Sequence, residues 1–151
     1  MHETSAGLIV FRKDNNRILF LLLHKKASDH YKESWSFPKG LVENKESKEQ
    51  TALRETTEEA GISDLRLIPS FKERIHYIYR KPSALVTKDV YYFLAETEQK
   101  EIKISYEHSS GVWLPYKKAL STLTFNNEQK ALKKANQFLQ EEQKQKSLSD
   151  F

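Results

Sequence analysis

The amino-terminal part of the chain alternates short apolar runs with polar turns. Residues 6–11 and 18–23 are apolar and are separated by the turn-forming sequence Asp-Asn-Asn at residues 14–16, so the pattern predicts two paired strands. Residues 28–39 are polar and predict a loop around a short extended stretch at residues 35–37. We therefore expect a sheet to begin near the amino terminus.

A helix is predicted over residues 46–60, which contain neither proline nor glycine. Ser47 and Gln50 have the spacing of a capping box, and Gly61 is placed where a helix ends. Apolar periodicity predicts further elements, namely strands at residues 71–79, 90–95 and 112–114 and helices at residues 117–123 and from residue 127 onwards. This order of elements favours an α/β sandwich over a doubly wound sheet. The sequence has no glycine-rich phosphate loop, which would have supported a doubly wound sheet.

The length of 151 residues fits a single domain. From residue 141 the sequence is almost entirely polar, which predicts a frayed or disordered tail. We therefore expect a domain over residues 1–140 and a tail over residues 141–151.

Composition narrows the classes of function. The chain has no cysteine, which excludes disulfides, zinc–thiolate sites and thiol nucleophiles and suits a reducing compartment, so we expect a cytoplasmic protein. The apolar run at residues 18–23 is too short to span a bilayer, and the first residues lack the basic start of a signal peptide, so no membrane association is expected. The formal net charge of +4 suits a polyanionic ligand without by itself indicating a nucleic-acid-binding protein.

The predicted helix carries an acidic face. Glu55, Glu58 and Glu59 are spaced i, i+3 and i+4, which places their carboxylates on one side of the helix, from where we expect them to project outward. The neighbouring face can pack on a sheet through Leu53, Thr56 and Ala60. Because clustered like charges repel, a hard divalent cation such as Mg²⁺ would stabilise the group. A solvated acidic surface patch is the alternative interpretation.

The segment around this helix resembles the Nudix box. The box reads glycine, five residues, glutamate, seven residues, then Arg-Glu-U-x-Glu-Glu-x-Gly-U, where U is a bulky aliphatic residue. Residues 40–62 match it at every charged and glycine position, and Thr56 is the one departure. The resemblance implies a Nudix-type α/β/α sandwich with a mixed sheet and an enzyme in which water attacks a phosphorus atom of a nucleoside diphosphate derivative.

The resemblance also implies a metal site. Glu55, Glu58 and Glu59 would hold Mg²⁺ or Mn²⁺, with the backbone carbonyl of Lys39 as a further ligand. These four residues are the metal-ligand candidates.

Two further roles follow from the matched positions. Arg54 would orient carboxylates by bridging Glu46 and Glu55 with its planar guanidinium. The general base varies within the family, so Glu58 and Glu107 both remain candidates; Glu107 lies in a polar loop before the predicted strand at residues 112–114.

Outside the box, the resemblance extends over much of residues 5–140 and is closest to the asymmetric diadenosine tetraphosphate hydrolases. It includes residues 6–11, 20–23, 35–40, 52–62, 71–72, 76–77 and 136–139. That subfamily tolerates threonine at the position of Thr56. The resemblance implies cleavage of a small nucleoside polyphosphate, diadenosine tetraphosphate, to ATP and AMP.

This substrate needs cations for its phosphates and flat apolar partners for its adenine. Lys39 and Lys81 are expected to contact phosphate, and His30 is a further candidate in a loop. Tyr77 and Phe138 resemble the adenine clamp of the subfamily, although Phe138 also has the spacing of a core residue.

Other activities stay open at this stage. Removal of pyrophosphate from the 5′ end of RNA, or cleavage of another nucleoside-diphosphate derivative, would use the same box. A regulator that binds a nucleotide without cleaving it is a hypothesis of another class, which the intact Arg54, Glu55, Glu58 and Glu59 argue against. The sequence does not indicate the oligomeric state.

Overall fold

The strands of the computed structural model form one mixed sheet. Residues 1–29 and 31–149 are described. The elements in chain order are β1 (His2–Asp14), β2 (Arg17–Lys25), β3 (Ser34–Ser36), β4 (Lys39–Leu41), α1 (Lys48–Ala60), β5 (Arg66–Lys81), β6 (Ala84–Glu96), β7 (Ser110–Pro115), α2 (Tyr116–Thr122) and α3 (Asn126–Ser149). The strand order is β3-β2-β1-β6-β5, and β4 and β7 pair with β1 and β2 respectively.

The predicted amino-terminal hairpin is present and forms the centre of the sheet. β1 and β2 pair antiparallel, and Asn15 and Asn16 adopt positive φ angles of 49° and 68° in the turn. Two successive positive φ angles are typical of the tight turns that join antiparallel strands, and asparagine tolerates them. On its other side β1 pairs parallel with β6, which makes the sheet mixed, as predicted.

Both faces of the sheet are covered. Alternate residues of β1 point to opposite faces, so Leu8 belongs to one core cluster and Ile9 to the other. The first cluster includes Ala52 and Ala60 of α1, and the second includes Leu132 of α3 together with a residue of α2. The predicted α/β/α sandwich is therefore confirmed.

The local sequence sets the ends of α1. Ser47 and Gln50 form both hydrogen bonds of a capping box, so α1 begins at Lys48, two residues after the predicted start. Gly61 ends α1 in the left-handed conformation with φ of 68°, and its N–H donates to the Thr57 carbonyl. Thr56 is fully buried, and its hydroxyl donates to the Ala52 carbonyl at 2.8 Å, which explains why a polar residue is tolerated here.

The carboxyl-terminal helix differs from the sequence expectation. The frayed or disordered tail was expected from residue 141, but α3 continues to Ser149. Its last turns consist largely of glutamate, glutamine and lysine without glycine or proline, and these residues propagate a helix even where nothing packs against them. The division into a domain over residues 1–140 and a tail stays a prediction. None of the helices in the described part of the chain is long and apolar enough to cross a membrane.

We predict that Gly61→Ala destabilises the fold. A left-handed φ costs a residue with a side chain about 1–2 kcal/mol. The new Cβ would also lie 2.6 Å from the Lys103 Cβ, so a backbone shift is required. Chemical denaturation should show this loss in the free energy of unfolding. Ser63→Ala, at an exposed position close by, is the control and should change the free energy little. Equal stability of the two variants would contradict the role given to Gly61.

Candidate active site

A cavity of about 1250 Å³ lies beside β4 and the carboxyl-terminal half of α1. Its walls come from the end of β2 and the following loop, from β4, from α1 and from the loop at residues 105–109. Among the predicted site residues it brings together Lys39, Arg54, Glu55, Glu58, Glu59 and Glu107. The structure thus gathers residues that are up to 68 positions apart, from Lys39 to Glu107, around one space.

The three acids of α1 that line the cavity differ in burial. The side chain of Glu58 is 56% exposed, that of Glu55 is 17% exposed and that of Glu59 only 8%. The expectation that all three project outward is therefore wrong for Glu59. Its backbone carbonyl accepts a hydrogen bond from Ser105, so the loop at residues 105–109 packs over this end of α1 and covers the side chain.

Burial determines the protonation of Glu59. Desolvation, assisted by the neighbouring carboxylate of Glu55, raises the pKa of Glu59 to about 9. One carboxyl oxygen lies 3.4 Å from the His108 Nε2, and the other is buried without a hydrogen-bond partner. Glu59 is thus a carboxyl group whose ionised form lacks sufficient stabilisation from the protein alone.

Arg54 links the other carboxylates of the site. Its Nε lies 2.6 Å from Glu46, and its Nη1 lies 3.0 Å from Glu55 and 3.1 Å from Glu58. The contacts with Glu46 and Glu55 are those predicted from the sequence. The hydrogen bond from Arg54, with a further one from the Thr51 hydroxyl, lowers the pKa of Glu46 to about 2. Glu46 is therefore ionised over the whole neutral range and holds Arg54 in place.

Gly40 leaves the space beside β4 that the carboxylate of Glu55 occupies. β4 pairs with β1, with Ala6 opposite Gly40, and this pairing places the backbone of Gly40 against the side chain of Glu55. A Cβ at Gly40 would lie 2.0 Å from the Glu55 carboxyl carbon, which is far inside van der Waals contact. Only glycine brings the backbone this close to the carboxylate.

The residues present fit a hard divalent cation. The unpartnered oxygen of Glu59 and the raised pKa of that carboxyl are both features that a bound cation would relieve. In the described chain, no three histidine, aspartate or glutamate side chains already converge as a complete ligand set. Backbone carbonyl, water and substrate oxygen would have to complete the coordination, which is typical of Mg²⁺.

Glu107 lies on the same side as the acids of α1. It lines the cavity, and its charge helps to raise the pKa of Glu59. The loop that carries it is fixed by backbone hydrogen bonds from Lys103 to Ala60 and from Ser105 to Glu59. Glu58 and Glu107 therefore both remain candidates for the general base.

The predicted substrate contacts are only partly brought together. Lys39 lines the cavity, and its Nζ lies 3.6 Å from Glu128. Lys81 pairs instead with Glu3 at 3.0 Å, near the tip of the β5–β6 hairpin. Lys81 is not part of the cavity wall, and His30 lies outside the described residues.

The two predicted clamp residues lie on the other face of the sheet. Tyr77 is half-buried and packs against the core cluster shared with α2 and α3. The ring of Phe138 packs edge-on against Phe71, with 5.6 Å between their centroids. Neither residue lines the cavity, and for Phe138 the helical spacing of a core residue explains its position.

Several residues that line the cavity were not predicted from the sequence. Lys25, Lys26 and Tyr106 line the walls from loops or strand ends, where isolated charged and aromatic residues carry no periodic signal. Lys88 also lines the cavity because the parallel register of β1 and β6 places it opposite Glu3. Burial lowers the pKa of Lys88. The position of Lys88 follows from the strand order of the sheet, which no local sequence pattern encodes.

Comparisons with known proteins agree with this geometry. The model of the NUDIX domain matches residues 1–135. The chain is 39% identical to the asymmetrical bis(5′-nucleosyl)-tetraphosphatase of Sus scrofa over 146 residues, which cover 89% of this chain and 94% of that protein. It is 37% identical to the enzyme of the same name from Mus musculus, with the same coverage.

Solved structures give the same result. The crystal structure of a binary complex of the Ap4A hydrolase of C. elegans superposes with a TM-score of 0.78 at 31% identity. The match covers 91% of this chain and 97% of that one. Together with the carboxylates, Arg54 and Gly40 around one cavity, these matches show that the chain belongs to the Nudix family of hydrolases.

Proposed function

We propose that this protein is a metal-dependent hydrolase that cleaves diadenosine tetraphosphate asymmetrically to ATP and AMP. The observation that carries the proposal is the cavity in which Glu55, Glu58 and Glu59 meet Lys39. The tetraphosphatase relatives, whose names give this substrate, are matched over nearly their whole length. Nudix hydrolases generally need a divalent metal, and we propose Mg²⁺ or Mn²⁺ here because the side-chain donors are carboxylate oxygens.

The acidic residues would bind and orient in this mechanism. Glu55, Glu58, Glu59 and the Lys39 carbonyl would hold the metal, which when bound polarises phosphoryl oxygen and favours ionisation of water. Arg54 holds Glu55 and Glu58 at 3.0 and 3.1 Å and is itself fixed by Glu46. This preorganisation means that little side-chain ordering remains when the substrate binds.

The chain offers two groups for the proton of the attacking water. Glu58 is the most exposed of the three clustered acids, and Glu107 lies in the loop at residues 105–109. Either carboxylate would accept the proton as the water oxygen bonds to phosphorus.

Lysines around the cavity suit a long polyphosphate. Lys25, Lys26, Lys39 and Lys88 all line it, so positive charge faces the acidic side across the same space. A tetraphosphate brings about one negative charge per phosphate, which these cations would neutralise. Tyr77, Phe138, Lys81 and His30 stay predictions as substrate contacts. A cytoplasmic location likewise stays a prediction from the cysteine-free composition.

The products of diadenosine tetraphosphate test the proposal directly. We expect purified protein with Mg²⁺ to release ATP and AMP in equal amounts, as measured by chromatographic separation of nucleotides. A chelator is the matched control and should abolish cleavage. Two molecules of ADP would contradict the asymmetric attack. No cleavage would instead favour activity on RNA 5′ ends or a binding role.

We predict that Glu58→Gln lowers kcat by at least about 100-fold, because a metal ligand or the base is lost. Its side chain is 56% exposed, so the folded structure should be retained. Circular dichroism and kcat measured across a series of Mg²⁺ concentrations check both points. Glu101→Gln, at an exposed position outside the cavity, is the charge-matched control and should retain activity. Activity of Glu58→Gln close to the unmodified level would remove Glu58 from the machinery.

Glu59 should make the metal-free protein less stable as pH rises. Its folded-state pKa of about 9 exceeds the ordinary value of 4.5, so between these values the folded state retains a proton that the unfolded state releases. Stability from this group is therefore present below 4.5 and is lost progressively as pH approaches 9.

Glu59→Gln should remove this dependence, because glutamine stays neutral. In chelator, we expect its Tm to exceed that of the unmodified protein by more at about pH 8 than at about pH 5, as the linkage requires. Glu101→Gln is again the control. A Tm difference that does not grow with pH would show that Glu59 is ionised in the folded, metal-free protein.

A further inference from the structure

A second set of hydrogen-bonded side chains lies beside the cavity, separate from the carboxylates of α1. The Ser109 hydroxyl is hydrogen-bonded to the Nδ1 of His24, and the His24 Nε2 lies 2.7 Å from a carboxylate oxygen of Glu33. His24 lies in β2, Glu33 precedes β3, and Ser109 precedes β7. Residues from three separate segments thus form a serine–histidine–glutamate series.

The proton positions in this series follow from elementary chemistry. An ionised carboxylate only accepts hydrogen bonds, so the Nε2 of His24 carries the proton and donates to Glu33. In the tautomer that carries no proton on Nδ1, this nitrogen is an acceptor for the Ser109 hydroxyl, and the same hydroxyl lies 3.3 Å from the His24 backbone carbonyl as a second acceptor. The Ser109 hydroxyl therefore lies in contact with a base, as nucleophilic serine chemistry requires.

The imidazole of His24 is held in this orientation. Its side chain is 15% exposed, and its ring packs against that of Trp35 with 4.6 Å between the centroids and an angle of 35° between the planes. The backbone N–H of Ser109 donates to the His24 carbonyl at 2.9 Å, which fixes the serine beside the ring. Ser109 itself is exposed and lines the cavity, so an incoming molecule can reach its oxygen.

The same loop offers a looser series for comparison. The Ser105 hydroxyl lies 3.5 Å from the Nδ1 of His108, and the His108 Nε2 lies 3.4 Å from Glu59. These distances are at or beyond the limit of a hydrogen bond. Ser105 is therefore a matched serine with a histidine neighbour but without the close contacts that activate a nucleophile.

We propose that Ser109 is a nucleophile, with His24 as its general base and Glu33 as the group that orients His24. Lys25 and Lys26 line the same cavity, so a phosphorus electrophile, whose phosphoryl oxygens carry full or partial negative charge, is the class that this serine would accept. The serine oxygen bonds to phosphorus while its proton passes to His24 Nδ1. The bond from phosphorus to the leaving group breaks, and the leaving group departs with the electron pair, which yields a phosphoserine-type ester.

An alkyl fluorophosphonate tests this proposal on the full chain, without metal or nucleotide. Fluoride is then the leaving group, and each adduct adds a defined mass. We expect one adduct, which peptide mapping places on Ser109, and Ser109→Ala should abolish it. His24→Gln should slow labelling by about 100-fold, as expected for loss of a general base, and Glu33→Gln should slow it by a smaller factor. Thermal melts confirm that each variant is folded.

Ser105→Ala is the matched control and should label at the unmodified rate. The proposal would be overturned if the folded protein acquires no adduct on Ser109. Labelling of Ser109 at an unchanged rate in His24→Gln would overturn it as well, because the histidine would then only connect two loops. The test is independent of diadenosine tetraphosphate hydrolysis, so either proposal can fail without the other.

Discussion

The acidic side of the site depends on the guanidinium of Arg54. Glu46, Glu55 and Glu58 all lie within 3.1 Å of it, and without a central positive charge these carboxylates would repel one another. A planar group with five donors satisfies several carboxylates at fixed angles, which a lysine ammonium does not. Arg54 thus fixes both the loop before α1 and the acidic face on the carboxyl-terminal half of this helix.

Packing of α1 on the sheet adds a second constraint, because it buries one acid of the face. Ala52, Thr56 and Ala60 are small enough for α1 to approach β1 closely, and Glu59 is then covered by the loop at residues 105–109. The cost of this burial appears as a carboxyl that retains its proton to about pH 9. A bound cation would offset that cost, because it would stabilise the ionised carboxylate at a position where the fold disfavours a bare negative charge.

Two hydrogen-bonded systems therefore share one cavity. The carboxylates of α1 form the side suited to a metal, whereas Ser109 lines another part of the wall and contacts His24 beside the cavity. Residues 105–109 connect the two systems, since Ser105 contacts α1 and Ser109 contacts β2. A shift of this loop would change both, although the chemistry of each depends on different side chains.

The sequence by itself determined the structural features that depend on residues close together in the chain. The turn at Asn15 and Asn16, the capping box of α1, its end at Gly61 and the spacing of its acids are local properties, and the contact of Arg54 with Glu46 spans only eight positions. The continuation of α3 to Ser149 was missed because polarity was taken as a sign of disorder, whereas helix propensity decides the conformation there.

Only the tertiary structure decided which distant residues meet. It buried Glu59, brought Lys88 to the cavity through the parallel pairing of β1 and β6, and joined His24 to Ser109. It also placed Tyr77 and Phe138 against the core rather than in the cavity wall. The physical reason is that burial and long-range pairing depend on sheet order and on how each loop packs, and neither leaves a periodic signal in the sequence.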